Sequence, residues 1–300
     1  MASSIRESAM ADTDRPPRAA RRWAPVVALG AVAMLLFSAM ILGPDRLAPA
    51  DPGDQTIAAR LRPPGATVAG MRYVLGSDHL GRDVLSRIVF GGRISLVMGL
   101  TAVAVSAGVG ATAGMLAGYL GGWAERAIMR LVDVQMAFPF ILLAIVVVGV
   151  LGPSPAKVVL VIGIGGWVHF ARVVRSEVLT LRERAFIESA RATGAGDGRI
   201  MVRHVLPNVL PTIIVLATTA LAYAIVAESS LSFLGVGIPA SIPSWGGMLA
   251  DGRQYVDTAW WLATFPGLCI LGTALLVNVL GDLIRDARAG TVGTARTGAA

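Results

Sequence analysis

Side chains able to do bond chemistry are scarce in this 300-residue chain, and their types exclude most catalytic readings. There are three histidines, one cysteine and, among 26 basic residues, a single lysine, Lys157. A nucleotide-binding P-loop needs Gly-Lys-Ser/Thr so that the lysine reaches the phosphates. Lys157 follows Ala156, so the chain carries no such loop. Cys269 stands alone in an apolar segment, which leaves no disulfide framework and no cysteine metal site. Neither a Gly-x-Ser-x-Gly elbow nor a His-Glu-x-x-His pair is present. No catalytic residue, metal or cofactor is therefore expected. What stands out is Glu188-Ser189-Ala190-Arg191-Ala192-Thr193-Gly194, followed by Leu206-Pro207. Small residues and a charge in such a run read as a short helix, and Gly194 permits a turn of positive φ at its end.

The elements that must position this segment are membrane helices. Hydrophobic residues make up 55% of the chain and charged ones 15%, against about 25% charged in soluble domains. Disorder, which needs a polar and charged chain, is excluded. The net charge of +7 is spread like topogenic signals rather than gathered in a stripe, so no nucleic-acid partner is expected. Six segments approach the roughly 20 apolar residues of a bilayer-spanning helix: 23–42, 94–120, 134–151, 158–171, 209–227 and 259–284. The fourth is only 14 residues long, and Lys157 and Arg172 extend it by snorkelling. The fold class is an all-α polytopic membrane protein. A signal peptide is the alternative for 23–42, since Ala48-Pro49-Ala50 resembles a cleavage site, but 20 apolar residues exceed the usual core of about 7–15. Residues 229–249 are uncharged too. Pro239, Pro243 and their glycines argue for a short helix and loop at the outer mouth.

Six spans put both termini on one side. With the N-terminus inside, segments 1–22, 121–133, 172–208 and 285–300 hold 17 basic residues and the outside segments hold 9. The positive-inside rule therefore places both termini in the cytoplasm. The outer loop 43–93, with seven arginines, runs against it. The middles of the spans lack Asp and Glu, with Glu228 and Asp282 at span ends, so ion coupling has little to act on. His169, the imidazole inside a span, reads as a packing residue. In the second span Ala102, Ser106, Gly110, Gly114, Gly118 and Gly122 recur every fourth residue. Small residues at that spacing predict a tight helix–helix contact, within the chain or with a partner.

The loop 172–208 is far longer than a connection requires. Periodicity predicts a helix over 176–193, glycines at 194, 196 and 198, and a second helix over 199–206 that stops at Pro207. The alternative for so many arginines is an amphipathic connector lying on lipid headgroups.

Residues 188–194 with Leu206-Pro207 resemble the EAA loop of the permease subunits of bacterial ABC importers. Ser189 replaces an alanine and His204 stands where isoleucine is common. Leu75-Gly-Ser-Asp-His-Leu-Gly-Arg-Asp-Val-Leu-Ser-Arg87, Gly92-Arg-Ile-Ser-Leu96, Ala137-Phe-Pro-Phe-Ile-Leu-Leu-Ala144, Glu228-Ser-Ser-Leu-Ser-Phe-Leu-Gly235, Ser244-Trp-Gly-Gly-Met-Leu249 and Asn278-Val-Leu-Gly-Asp-Leu-Ile-Arg-Asp286 are similar to blocks of the dipeptide/oligopeptide (peptide/nickel/opine) group, C-type subunit. The family's usual Leu-Asp-Pro ending is replaced by Ala287-Arg288-Ala289.

The resemblance implies a type I ABC importer permease fold: a cytoplasmic tail 1–22, a first helix 23–42, an extracytoplasmic loop 43–93, a core domain 94–284 and a cytoplasmic tail 285–300. It implies a bacterial inner-membrane location and three kinds of partner. These are a homologous B-type permease, one or two cytoplasmic ABC ATPases, and an extracytoplasmic substrate-binding protein. Glu188, Ser189, Ala190, Gly194, Leu206 and Pro207 become the ATPase-coupling loop, and Ser106, Gly110, Gly114 and Gly118 the packing stripe. The substrate-binding residues stay unknown. Di- or oligopeptides are the expected cargo, with glutathione, nickel chelates or opines as alternatives. Outside the family, an ion-coupled secondary carrier and a non-transporting membrane scaffold remain as alternatives.

Overall fold

The computed structural model describes residues 30, 32, 34, 35 and 37–297, with side chains described as far as Arg285. The tail 1–22 and half of the first span, 23–42, therefore lie outside the described residues. From Val84 onward the described residues form eight α-helices: α1 Val84–Leu120, α2 Gly122–Met136, α3 Phe140–Leu151, α4 Pro155–Leu181, α5 Ala185–Ala192, α6 Asp197–Phe233, α7 Trp245–Gly252 and α8 Trp261–Thr297. Of these, α1, α4, α6 and α8 are each long and apolar enough to cross a membrane, and α2 with α3 makes a fifth crossing if the bent pair counts as one.

The boundaries differ from those expected, for physical reasons. Helix α1 begins ten residues before the apolar run, because Asp83 caps it by accepting from Ser86 N at 2.7 Å. At roughly 1.5 Å per residue its 37 residues span about 55 Å, well beyond a ~30 Å hydrocarbon core. The expected straight span 134–151 is two helices meeting at 85° around Ala137-Phe138-Pro139. Pro139 cannot continue α2, and it starts α3 instead. The short fourth span is the middle of the 27-residue α4, which starts with Pro155 in its first turn. Helix α8 runs on through Thr297, into the expected C-terminal tail. Within 229–249, α6 reaches Phe233 and α7 begins at Trp245, capped by Ser244 on Gly247 N.

The α1–α4 seam organises the bundle. A Cβ built on Gly114 would lie 2.6 Å from the Ala171 carbonyl oxygen and 2.9 Å from Val174 Cβ. On Gly118 it would lie 2.9 Å from the Arg175 carbonyl oxygen, and on Gly110 it would collide with the Trp167 carbonyl oxygen. From the other side, Gly163 takes Val105 and its carbonyl accepts from Ser106 Oγ at 2.8 Å. The contact is thus made within the chain. Gly122 lies outside it, in the turn that opens α2 at φ +58°. The pairs 110/167, 114/171 and 118/175 advance together, so α1 and α4 run parallel. The chain between them, α2 and α3, must return.

Arginines fasten α4 to its neighbours: Arg172 to Asp133 at 2.7 Å, Arg175 to Glu125, and Arg182 Nη1 to the Gly118 carbonyl at 3.2 Å. Gln135 Nε2 donates to the Ile164 carbonyl at 2.7 Å, and Trp167 Nε1 donates to Gln135 Oε1 at 2.6 Å. These bonds hold the elbow between α2 and α3 against α4.

Before α1, residues 43–83 form a small unit containing the antiparallel hairpin β1 Ala66–Val68 and β2 Met71–Tyr73. Its two-residue turn places Ala69 and Gly70 at positive φ, as a type I′ turn requires. Asp78 anchors the unit. Its carboxylate accepts from Leu80 N at 2.8 Å, Arg82 N at 2.9 Å and Arg82 Nε at 2.6 Å, and it pairs with Arg87 of α1. Arg87 also reaches Asp251 of α7 at 3.7 Å.

Two predictions follow from this packing. Gly114→Val drives a side chain into α4 backbone, whereas Gly108→Val meets no atom within 4 Å. Overpacking of this kind costs roughly 1–3 kcal/mol. In purified chain, Gly114→Val is expected to lower the melting temperature clearly below that of Gly108→Val, and equal melting temperatures would refute the seam. Burial by itself would raise the Asp78 pKa, but Arg87 and the Arg82 donors hold it below its ordinary 3.8. A lowered folded pKa stabilises above the unfolded value, and that stability is lost as pH falls through the folded one. Protease resistance of 43–83 is therefore expected to fall below pH 3.8 in wild type and to lose this acid step in Asp78→Asn.

Candidate functional site

Between α4 and α6 the chain builds a projecting knob. The helix expected over 176–193 is divided: α4 ends at Leu181, and α5 restarts at Ala185 with Arg184 in an extended conformation at its N-cap. The Arg182 side chain turns back to Gly118, which closes α4 against the end of α1. Ile187, Ile200 and Val205 are each 0% exposed and join the core that holds Val174 and Val178. Three apolar anchors thus fix the knob to the bundle.

Its outward face carries Glu188 and Ser189, both exposed, with Ala190 half-buried beneath them. Phe186 and Val202 are also exposed, at 42% and 67%. A search for charge and small residues passes over these two apolar residues.

A Schellman turn closes α5. Ala195 N donates to the Ala190 carbonyl at 3.1 Å and Gly194 N to the Arg191 carbonyl at 2.9 Å, with Gly194 at φ +81°. Nothing lies within 4 Å of a Cβ built there, so the demand for glycine within this chain is conformational. A left-handed conformation costs other residues roughly 1–2 kcal/mol.

The expected stop at Pro207 is absent. Helix α6 starts at Asp197 and passes through a π-helical turn, Met201–Val205, in which Leu206 N donates to the Met201 carbonyl. A prolyl ring in a regular helix strikes the carbonyl four residues before it, and the widened turn makes room. Asn208 Nδ2 donates to the His204 carbonyl at 2.6 Å. Leu206 is half-buried and Pro207 exposed, continuous with the knob.

One polar side chain of α1, Tyr119, reaches the knob twice. Tyr119 Oη donates to Asp197 Oδ1 at 2.8 Å, and the Arg191 guanidinium lies 5.1 Å from the Tyr119 ring centroid. Tyr119 therefore touches both α5 and the start of α6. It lies 78 residues from Asp197, and no local pattern announces the pairing.

At the opposite end of α6, Glu228 is 0% exposed, inside the helix rather than at a span end. Its carboxylate accepts from Ser232 Oγ at 2.8 Å and from Ser95 Oγ of α1 at 3.1 Å. Trp245 N of α7 donates to that same Ser95 Oγ at 3.4 Å, and Trp245 Nε1 donates to the Ile88 carbonyl at 3.0 Å. No cation pairs with Glu228 among the described residues. It clamps three helices and has no group to react with.

The arrangement of parallel α1 and α4 with a projecting helix is shared with a solved membrane transporter. The solved structure of inward-facing MetNI, a methionine ABC transporter, matches with a TM-score of 0.54 over 67% of this chain and 95% of that one. At 21% identity, that match shows the fold alone. The family model described as binding-protein-dependent transport system inner membrane component matches residues 110–289, and the chain belongs to this family. Its members are membrane permease subunits of ABC importers, and such importers include an ATPase and a binding protein. The di/tripeptide transport system permease protein DppC of Pseudomonas aeruginosa is 41% identical over 86% of this chain and 87% of that protein. The glutathione transport system permease protein GsiD of Pectobacterium atrosepticum is 47% identical over 71% of each.

Tyr119→Phe removes the bond to Asp197 and keeps the ring beneath Arg191. The loss is worth about 0.5–1.5 kcal/mol. Faster amide exchange is expected in residues 185–200 of this variant, with exchange in α8 unchanged; identical exchange in both regions would show that Tyr119 does not hold the knob.

Proposed function

We propose that this chain is the C-type permease of an ATP-driven importer of di- and oligopeptides. It pairs with a distinct B-type permease, receives cargo from an extracytoplasmic binding protein and is driven by cytoplasmic ABC ATPases. The observation that carries this reading is the knob: a short helix, anchored by Ile187, that offers Glu188, Ser189 and Phe186 outward. In a chain without a P-loop, such a surface suits capture by a separate motor. Glu188 pairs with a basic group of the ATPase, and Gly194 with Leu206 and Pro207 sets the angle at which α5 meets its groove. Closure of the ATPase dimer pushes α5, and the Tyr119, Arg182 and Ile187 contacts pass the motion to α1 and α4. The spans then alternate between inward-open and outward-open states.

The excess of basic residues on one set of loops supports cytoplasmic termini and a cytoplasmic knob, with 43–83 and α7 outside. The run 23–42 supplies a sixth span beyond the five counted with the bent pair. Peptide cargo rests on the relatives. Glutathione is the second reading, favoured by GsiD at 47% identity, and it is itself a small peptide.

Gly194→Val tests the coupling role. The variant is expected to assemble with its partners while import of a labelled tripeptide falls at least about tenfold, because the strained turn of roughly 1–2 kcal/mol is relieved by reorienting α5. Unimpaired import would refute coupling through this turn. Competition by glutathione in the same assay separates the two cargo readings.

A further inference from the structure

Between α1, α4 and α6 lies a cavity of about 360 Å³, at the low end of the ~300–1,000 Å³ typical of ligand sites. Its walls are Phe170, Leu216 and Ala220 among other apolar residues, and its polar members include His169, Thr219 and Tyr223. Asp, Glu, Lys and Arg do not line it.

Several features set this cavity apart from a packing defect. His169, Thr219 and Tyr223 come from two different helices and are all exposed in the free chain, Tyr223 at 54%, whereas the fourth polar member, Ser106, is already bonded to the Gly163 carbonyl. None of the first three makes a side-chain hydrogen bond among the described residues. Polar groups within membrane spans are retained where they face a water-filled path or a ligand. The Tyr223 ring is braced edge-on by Phe140 of α3, with centroids 6.0 Å apart, so its hydroxyl is presented from a supported position. His169 also lines a second, adjoining cavity of about 160 Å³ beside Gln135, Phe138 and Phe140. One imidazole thus borders two successive spaces. The Gln135 amide, by contrast, is already committed to α4 carbonyls and to Trp167.

The chemistry of the lining selects the ligand. Hydroxyls and an imidazole donate and accept, as a peptide amide requires. With no charged side chain, the site cannot fix an α-ammonium or a carboxylate by an ion pair. The apolar walls favour an uncharged side chain of limited size. We propose that this cavity is a transit subsite for one uncharged residue of the imported peptide. The residue's backbone amide is held by His169, Thr219 and Tyr223, and its side chain lies against Phe170, Leu216 and Ala220. The inference rests on the peptide-import reading and adds a size and charge filter within this subunit.

The test uses proteoliposomes holding the whole importer, with both permeases, the ATPases and the binding protein. It compares uptake of labelled Ala-Ala-Ala and Ala-Phe-Ala. Ala220→Leu is expected to lower the Ala-Phe-Ala to Ala-Ala-Ala uptake ratio on the order of tenfold, as one crowded side-chain pocket can discriminate. Leu216→Ala is expected to raise that ratio. Because the two variants act in opposite senses, a general loss of assembly, read from binding-protein-stimulated ATP hydrolysis, cannot mimic the pair. Tyr223→Phe is expected to slow both peptides together. Uptake by wild type with ratios unchanged in both size variants overturns the subsite alone. Failure of wild type to take up either peptide overturns the peptide reading and the subsite with it.

Discussion

The close approach of α1 and α4 is the constraint on which the rest depends. Lipid supplies no hydrophobic drive to join two apolar helices, so their association relies on contact area and on what the backbones can reach. Gly110, Gly114 and Gly118 face the Trp167, Ala171 and Arg175 carbonyl oxygens, one helical turn apart, where any side chain would collide. Such a ladder suits weak Cα–H···O contacts, which accumulate along a helix pair. Because the pair is parallel, the chain is forced into a return crossing. The right-angled α2–α3 elbow, fixed to α4 through Gln135 and Asp133, is how this sequence makes that return.

The seam also explains why the two ends of the bundle differ. At the Leu120 end, α1 finishes among Tyr119, Arg182 and the knob, whose buried contacts are apolar: Ile187, Ile200 and Val205 pack with Val178. At the Val84 end, Arg87 and Asp78 pair in a nearly dry setting, and Glu228 joins Ser95 to the α7 region.

Much of this was legible in the sequence. The four-residue recurrence of small residues exposed the seam, because glycine periodicity is local. The length of 172–208 and its glycines at 194, 196 and 198 announced an ordered projection there, because turn chemistry is local too. What escaped was set by tertiary context. Nothing in Arg182-Glu183-Arg184 breaks a helix, and the break arises where Arg182 reaches a carbonyl 64 residues away. Pro139 was visible, but a hydropathy window measures length and says nothing of direction. Pro207 misled because a proline rule assumes α-helical register. Glu228 looked terminal because the apolar count stopped at it; its Ser95 partner lies 133 residues earlier.

The π-helical turn at Met201–Val205 has a consequence for how such chains diverge. It holds one more residue than a regular turn would, so the helix on either side keeps its own angular phase. Deleting a single residue there would restore ordinary geometry with the segments on either side left in phase, and it would bring the Pro207 ring against the carbonyl four residues before it. The widened turn and the proline that follows it therefore have to change together if the helix is to stay continuous from Asp197 to Phe233.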